Sequence, residues 1–294
     1  MRATFAALAA AGLEVEHLVI DGPGSGSALA REAIASGCDT IIVCGGDGTV
    51  HEVLQATIGS HVALGVVPLG TANALAANLG LAQKPALAMD ALLEATPLQV
   101  PVGRIVYRDA DGIERFRHFI VAAGVGADAL LMARLDPALK RRLGYLLYML
   151  QAMRVWVTHP FPLFNATFSN KGSSELRTRE VSQVLAVRVR SFGGVLGRLA
   201  PGASLHSPTL RLLAFKTRSR MRYLLFLLAV IVKRHTFARE VELLEADSVE
   251  CQPINGNSSA VYVEADGEFL GHLPVRIEIA PETLTLLIPR NSEP

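Results

Sequence analysis

Two glycine-containing turns carry the residues whose types and spacing suggest phosphate chemistry. Gly45–Thr49 follows the apolar run "TIIVC", and Gly70–Asn73 follows "ALGVV". Glycine lets backbone amides approach a ligand closely, and the N–H groups at a helix start favour an anion. Each turn alone is also explained as a tight strand-to-helix connection, and Thr49 and Glu52 have the spacing of a capping box. Side by side at one sheet edge, the two turns predict a polyphosphate cradle.

A third candidate lies far along the chain, at Glu264–Glu268, "EADGE". An Asp-Gly pair is a strong signal for a hairpin turn, and a hairpin alone explains the segment. Its acidic residues become candidates for catalysis only in combination with the two glycine-containing turns.

The elements around these turns change type near Thr96-Pro97. Before it, strand-like runs ("EVEHLVI", "DTIIVC", "HVALGVV") alternate with helical segments at 27–35 and 49–58, which indicates a parallel sheet with helices on both faces. After it, short strand-like runs dominate, interrupted by helical segments at 137–157 and 220–233. The predicted fold class is therefore α/β plus β: a parallel α/β nucleotide-binding domain at 1–97 and an antiparallel β-sandwich-like domain at 98–280. The C-terminal residues 281–294 are expected to pack back on the first domain.

Composition limits the partners and the compartment. The 294 residues carry a net charge of +1, so no overall field recruits nucleic acid. The three cysteines have neither metal-ligand nor disulfide spacing, which favours a reducing cytoplasmic setting. The longest apolar run, 223–232, is shorter than the about 20 residues that a membrane span requires.

In order and spacing, "GGDGTVHEV", "PLGTANALAANLG" and "ADGE" resemble the diacylglycerol kinase catalytic domain family, which includes bacterial lipid kinases and sphingosine kinases. The resemblance covers nearly the whole chain, and "HEV" and "NALA" look closer to the sphingosine kinase style. It implies an ATP- and Mg²⁺-dependent lipid kinase that phosphorylates a lipid hydroxyl at a membrane surface. By position, it implies that the ATP phosphates contact Gly45, Gly46, Asp47, Gly48, Thr49, Gly70, Thr71 and Asn73.

The resemblance leaves two candidates for the group that accepts the proton of the lipid hydroxyl, Glu268 and Asp47. We favour Glu268 as the base and Asp47 as the organiser of Mg²⁺ and phosphate. Phosphoryl transfer depends mainly on positioning and charge neutralisation, so the base contributes less than the cradle and the metal ion.

Other substrate contacts are less specific. Asp128, in "GVGADA", either faces the lipid headgroup or caps the following helix, and locally the cap is the better explanation. Arg141 either meets phosphate or headgroup or ends a solvated helix. His51, one turn into the helix after the first glycine-containing turn, is expected to be partly exposed. The apolar segment 221–232, with basic flanks, is either a membrane-docking helix or a buried one.

Several features depart from the family pattern. The family begins with a strand and an Asn-Pro loop, whereas this chain starts later, so we expect a truncated N-terminus. The family's metal loop in the second domain falls near 205–208, where the acid is absent. Ala74 and Pro101 stand where members of the family carry further acids. A soluble enzyme resembling NAD kinases, or a non-catalytic nucleotide- or lipid-binding protein, remains the alternative. The sequence gives no oligomeric state and does not name the lipid.

Overall fold

A computed structural model describes residues 12–134, 145–172, 175–192, 199–231, 240–254 and 261–290. The chain divides into two compact units. Unit 1 comprises residues 1–101 and 281–294, and unit 2 comprises residues 102–280.

Unit 1 is an α/β unit built on parallel strands. Strands β1 (Thr40–Gly45) and β2 (Ala63–Pro68) pair in parallel, and β2 also pairs in parallel with the second half of β14 (Val275–Ile288). Every residue of β2 is buried, as expected for a central strand covered on both faces. The helices of this unit are α1 (Ser25–Ala35), α2 (Asp47–Thr57), α3 (Ala74–Asn78) and α4 (Pro85–Leu93).

Unit 2 is mainly antiparallel. Its strands are β5 (Ala122–Val125), β6 (Phe164–Ser169), β7 (Arg177–Val181), β8 (Gln183–Val187), β9 (Leu210–Phe215), β10 (Val241–Ala246), β11 (Ser248–Pro253), β12 (Tyr262–Ala265) and β13 (Glu268–His272). One sheet has the order β10-β9-β8-β5-β12-β13, and a second group pairs β7, β6, β11 and the first half of β14. Strand β3 (Thr96–Arg108) pairs with β4 (Glu114–Phe119). The helices are α5 (Ala127–Ala133), α6 (Tyr145–Thr158) and α7 (Arg220–Ile231).

The core of unit 2 lies among these strands and contains fully buried aromatic residues. Phe119 shows how the sequence accommodates them. It lies opposite Gly103 in the β3–β4 register, and a Cβ at Gly103 would fall 2.1 Å from the Phe119 ring. The Phe119 ring therefore fills the space that a side chain at position 103 would occupy.

The predicted α/β plus β class is confirmed, but one predicted strand is wrong. "EVEHLVI", at 14–20, forms no strand, and its side chains are exposed. An alternating apolar pattern favours a strand only where a neighbouring strand is available, and none of the described strands pairs with this segment. The helix after the second glycine-containing turn is short, because Asn73 adopts a left-handed conformation (φ 48°) and α3 starts only at Ala74.

Candidate functional site

The two glycine-containing turns of unit 1 lie side by side. Gly45 and Pro68 end the paired strands β1 and β2 at the same register position, and the Leu69 N–H donates to the Gly45 carbonyl at 2.9 Å. An added Cβ at Gly46 would lie 3.2 Å from the Gly70 Cα, and one at Gly70 would lie 2.7 Å from the Gly46 Cα. This approach requires glycine at both positions. The sequence prediction that the two turns meet at one sheet edge therefore agrees with the structure.

Asp47 connects the two turns. It is the first residue of α2, and its Oδ1 accepts the Ala74 N–H at 2.7 Å, at the start of α3. A charged acceptor makes this a strong hydrogen bond. Asp47 therefore fixes the second turn against the first, a role in addition to any contact with metal or phosphate.

The second turn is closed by Asn73. Its Oδ1 accepts the Gly70 N–H at 2.9 Å, and its Nδ2 donates to the Gly70 carbonyl at 2.7 Å and to Gln83 Oε1 at 2.9 Å. The Asn73 side chain is thus occupied within the protein, whereas Gly70 and Thr71 are exposed. Asn73 shapes the turn, and the exposed backbone around Thr71 is the part that a ligand can reach.

Two local expectations for the first turn are wrong. The capping box is absent, because α2 begins at Asp47 after Gly46 without a side-chain cap. Glu52 accepts the Gly26 N–H of α1 at 3.2 Å instead, so it ties two helices together. His51 is only 3% exposed, because it lies on the face of α2 that packs into unit 1. Thr49 packs its side chain over Gly45, where a Cβ would lie 2.7 Å from the Thr49 Cβ.

In unit 2, the segment "EADGE" forms the hairpin turn between β12 and β13. Asp266 (φ 47°) and Gly267 (φ 84°) both adopt left-handed conformations, as a two-residue hairpin turn with the local strand twist requires. The Asp266 carboxylate accepts the backbone N–H groups of the segment 120–122, three bonds of 2.9 Å each. Asp266 is therefore a structural anchor of the turn.

Glu268, the candidate base, follows that turn and is half-exposed. Its carboxylate accepts three hydrogen bonds from Arg117 of β4, at 2.7, 3.0 and 3.1 Å. Sequence reasoning missed Arg117, since 151 residues separate the two and no local pattern connects them. A carboxylate held this way is oriented, and a hydroxyl that approaches it competes with Arg117 for its lone pairs.

Asp128 lies in the first turn of α5, two residues after the N-cap residue Gly126. Its carboxylate oxygens are buried, and no donor among the described residues makes a hydrogen bond of normal geometry to them. The expected capping role is therefore wrong. Burial raises the pKa of Asp128 to about 7, partly offset by the backbone amides of Ala129 and of Asp128 itself. Arg141, the other predicted substrate contact, lies outside the described residues.

The loop at 205–209, where the family pattern places a metal, is occupied by a side chain. Arg188 is fully buried and donates to the carbonyls of Leu205, Ser207 and Thr209 at 2.8, 2.8 and 3.0 Å. Burial lowers the pKa of Arg188 to about 10, so it remains a cation at neutral pH. The loop thus has a guanidinium at its carbonyls and no carboxylate among residues 205–209, and it does not fit a structural metal.

Comparison with known proteins assigns the chain to a family. The family model for the diacylglycerol kinase catalytic domain matches residues 2–105, and that for the YegS C-terminal NAD kinase beta sandwich-like domain matches residues 119–288. A diacylglycerol kinase of Mycobacterium tuberculosis (strain CDC 1551 / Oshkosh) is 30% identical over 285 residues, which cover 95% of this chain and 86% of that protein. The chain belongs to the diacylglycerol kinase family. It is a lipid kinase, as the sequence predicted.

Other proteins described as diacylglycerol kinases are also similar to this chain. A diacylglycerol kinase of Bacillus subtilis (strain 168) is 26% identical over 90% of this chain and 82% of its own length. A crystal structure from Bacillus anthracis strain Sterne has a TM-score of 0.74 and 21% identity, over 97% of this chain and 88% of that one. A second structure from that strain, described as a diacylglycerol kinase, has a TM-score of 0.64 and 18% identity, over 96% and 86%. These structures support the fold.

The residues of the two turns fit the phosphates of ATP. The amides of Asp47, Gly48 and Thr49 precede the first intrahelical hydrogen bond of α2, from Val50 N–H to the Gly46 carbonyl, and such helix-start amides favour anions. Among the described residues, no cluster of three metal-ligating side chains occurs. Magnesium ions bound to nucleotides need only one or two carboxylates, with the phosphates as further ligands, and Asp47 is the carboxylate at this position.

Unit 2 also exposes an apolar surface on two helices. The exposed side chains recur at helical spacing: Leu150, Met153 and Val157 on α6, and Met221, Leu225 and Leu228 on α7. The Trp156 indole N–H donates to the Arg220 carbonyl at 2.9 Å, so the end of α6 meets the start of α7. Within the described part of the chain, neither these nor any other helices have the length and hydropathy of a membrane span.

Proposed function

We propose that this lipid kinase transfers the γ-phosphate of ATP to the hydroxyl of a diacylglycerol-like or sphingoid lipid. The contact between the Gly45–Thr49 and Gly70–Asn73 turns supports this proposal most directly. It concentrates helix-start amides and exposed backbone at the carboxyl ends of two parallel strands, where α/β sheets bind their ligands. Such a surface suits a polyphosphate better than an uncharged ligand.

In this proposal, the amides of Gly46 to Thr49 and the backbone at Gly70 and Thr71 hold the phosphates. Asp47 keeps the two turns in contact, and Asn73 holds the shape of the second turn. Mg²⁺, held by the phosphates and Asp47, neutralises charge that develops during transfer. Unit 1 thus contributes binding and positioning, which supply most of the acceleration in phosphoryl transfer.

We propose Glu268 of unit 2 as the acceptor of the lipid hydroxyl proton. Arg117 orients its carboxylate before the substrate binds, and an exposed ion pair of this kind is worth only about 0–1 kcal/mol. The approaching hydroxyl therefore competes with Arg117 for one carboxylate oxygen at little cost. The Oδ1 atom of Asp128, to which no described donor makes a hydrogen bond, is the proposed acceptor of a hydrogen bond from the lipid headgroup.

The proposed partner of the exposed faces of α6 and α7 is an anionic bilayer. Apolar side chains at helical spacing suit the boundary between acyl chains and headgroups. Exposed arginines, Arg154 and Arg218, lie on or next to these helices. Trp156, Arg218 and Met221 line an open groove of about 560 Å³. Arginine beside apolar surface complements anionic headgroups. The kinase is then expected to act as a peripheral membrane protein.

Labelled ATP and a panel of acceptors test the reaction. The panel contains diacylglycerol, sphingosine, ceramide and phosphatidylglycerol in mixed micelles, with NAD as the soluble competitor. Asp47→Asn and Glu268→Gln are expected to remove turnover while far-UV circular dichroism stays unchanged. Phosphorylation of NAD alone would support the soluble alternative, and unchanged properties in both variants would support a non-catalytic binding protein.

Vesicle sedimentation tests the membrane surface. Leu225→Ser is expected to lower binding to vesicles that contain phosphatidylglycerol, with little binding of any variant to pure phosphatidylcholine. Ile113→Ser is the matched control, because Ile113 is equally exposed but lies away from α6 and α7 in the sequence, between β3 and β4. Equal loss in both variants would contradict the assignment of this surface.

A further inference from the structure

Two buried carboxylates meet in unit 2. Glu264 of β12 is buried and lies opposite Gly124 of β5 in the antiparallel register. A Cβ built on Gly124 would fall 1.9 Å from Asp128 Oδ2 and 2.8 Å from Glu264 Oε1. Both acids therefore crowd over the bare Cα of Gly124, within 3 Å of one point. Such a meeting of carboxylates is disfavoured unless one of them is protonated.

The hydroxyl of Tyr223 does not supply the missing proton. Tyr223 of α7 interacts electrostatically with Asp128, and its hydroxyl lies 2.8 Å from Ser182 Oγ. Ser182 donates its own proton to the Thr217 carbonyl. Because a hydroxyl has a single proton to donate, Tyr223 must be the donor to Ser182. The proton that satisfies Asp128 has to be carried by one of the two acids.

The other groups around this pair are known from the packing of α5, which contacts β5, β12, β13 and α6. Strand β5 contains no titratable side chain. On the remaining elements and α7, the described titratable and charged side chains are Tyr262, Glu264, Glu268, His272, Arg154, Arg220, Arg222 and Tyr223. Those that the structure brings to the Asp128 carboxylate are Glu264 and Tyr223.

Glu264 also touches the catalytic turn. Its second oxygen, Oε2, accepts the Gly267 N–H at 2.7 Å. Gly267 adopts a left-handed conformation and directly precedes Glu268. The same carboxyl group therefore faces Asp128 through one oxygen and holds the turn through the other.

We propose that Asp128 and Glu264 hold one proton between them, and that Glu264, held in this way, is a positioning residue for the turn that carries Glu268. The proposal rests on the proposed function in that Glu268 is the base. When the shared proton passes to hydroxide or buffer, two like charges face each other over Gly124. Glu264 then moves away from Asp128, and the hydrogen bond to Gly267 is weakened.

The direction of the pH effect follows from the burial of Asp128. Its pKa rises from 3.8 to about 7 in the folded protein. A group whose folded pKa is raised stabilises the fold fully below its unfolded pKa, and this contribution is lost as the pH rises to the folded pKa. The pair therefore favours the folded turn in acid and loses that effect between about pH 4 and pH 7.

Hydrogen exchange of the turn tests the proposal without any assay of activity. In the wild type, the protection factor of residues 261–272 is expected to fall by up to about tenfold per pH unit between about pH 4 and pH 7, the slope for one proton held only by the folded turn, and to level off above pH 7. Glu264→Gln keeps an acceptor for Gly267 and adds a donor for Asp128, so its protection is expected to be independent of pH. Glu250→Gln, a matched change at an exposed glutamate of β11, should follow the wild type.

The pH profile of kcat is the second readout. The wild type is expected to lose activity above about pH 7, and Glu264→Gln to keep it into the alkaline range. Glu264→Ala should lower kcat at every pH with little change in KM for ATP. Parallel exchange profiles of wild type and Glu264→Gln would overturn the proposal, as would parallel kcat profiles. If the wild type phosphorylates none of the lipids, the proposed function fails, and the exchange profiles still decide whether the pair holds the turn.

Discussion

The contact between Gly46 and Gly70 makes a quantitative prediction for Gly70→Ala. The new Cβ would lie 2.7 Å from the Gly46 Cα and 2.8 Å from Asn73 Oδ1. Carbon atoms in contact normally lie about 3.5–4.0 Å apart, so the two turns must separate by about 1 Å. A displacement of about 1 Å at a reacting group costs on the order of 100-fold in rate, or about 2.7 kcal/mol of transition-state stabilisation.

The expected result is therefore a fall of about 100-fold in kcat/KM for ATP, together with a loss of about 1–3 kcal/mol in the free energy of unfolding from overpacking. The assay uses labelled ATP with the acceptor lipid found in the panel, and urea denaturation gives the stability. Gly22→Ala is the matched control, because nothing lies within 4 Å of its added Cβ and its φ is ordinary. A kcat/KM for Gly70→Ala within threefold of the control would refute the role of this contact.

Further substitutions separate anchoring from chemistry. Asp47→Ala should lower the free energy of unfolding by about 1.5–3 kcal/mol, whereas Asp47→Asn, which keeps an acceptor, should cost less than about 1 kcal/mol. Equal losses for the two variants in urea denaturation would contradict the role of Asp47 as an anchor of the second turn. Asp266→Asn should cost at least about 3 kcal/mol, because three amides lose a charged acceptor, and a loss under about 1 kcal/mol would show that the turn is held otherwise. Arg117→Gln should change stability by less than about 1 kcal/mol but lower kcat, and an unchanged kcat would exclude an orienting role. Arg188→Met should cost about 3 kcal/mol or more, because three carbonyls of the loop lose their donor. EDTA should leave the wild-type melting temperature unchanged, and a drop with EDTA would indicate a structural metal.

Local sequence signals predicted the parts of the site that neighbouring residues form. Gly45–Thr49 and Gly70–Asn73 follow two strands that pair in parallel, and parallel strands place their carboxyl ends together, so their meeting was predictable. The hairpin at Asp266 was also predictable, because the Asp-Gly pair specifies the turn locally.

The parts that depend on long-range register were not predictable. Glu264 meets Asp128 only because β12 pairs with β5, and Arg117 reaches Glu268 from a strand 151 residues away. His51 was expected to be partly exposed, yet the packing of α2 buries it. In each case, tertiary packing decided the environment of a side chain whose local sequence allowed several outcomes.

The second half of β14 imposes an order on synthesis. Leu286 pairs with Leu64 of β2, and both are fully buried, so unit 1 gains one of its strands only from residues near position 286. Domains usually fold as the ribosome releases them, N-terminal segment first. Here β2 has one open edge until β14 is synthesised, and an open apolar edge invites pairing with another chain. A chain interrupted before β14 would therefore carry the two glycine-containing turns without the strand that pairs with the open edge of β2.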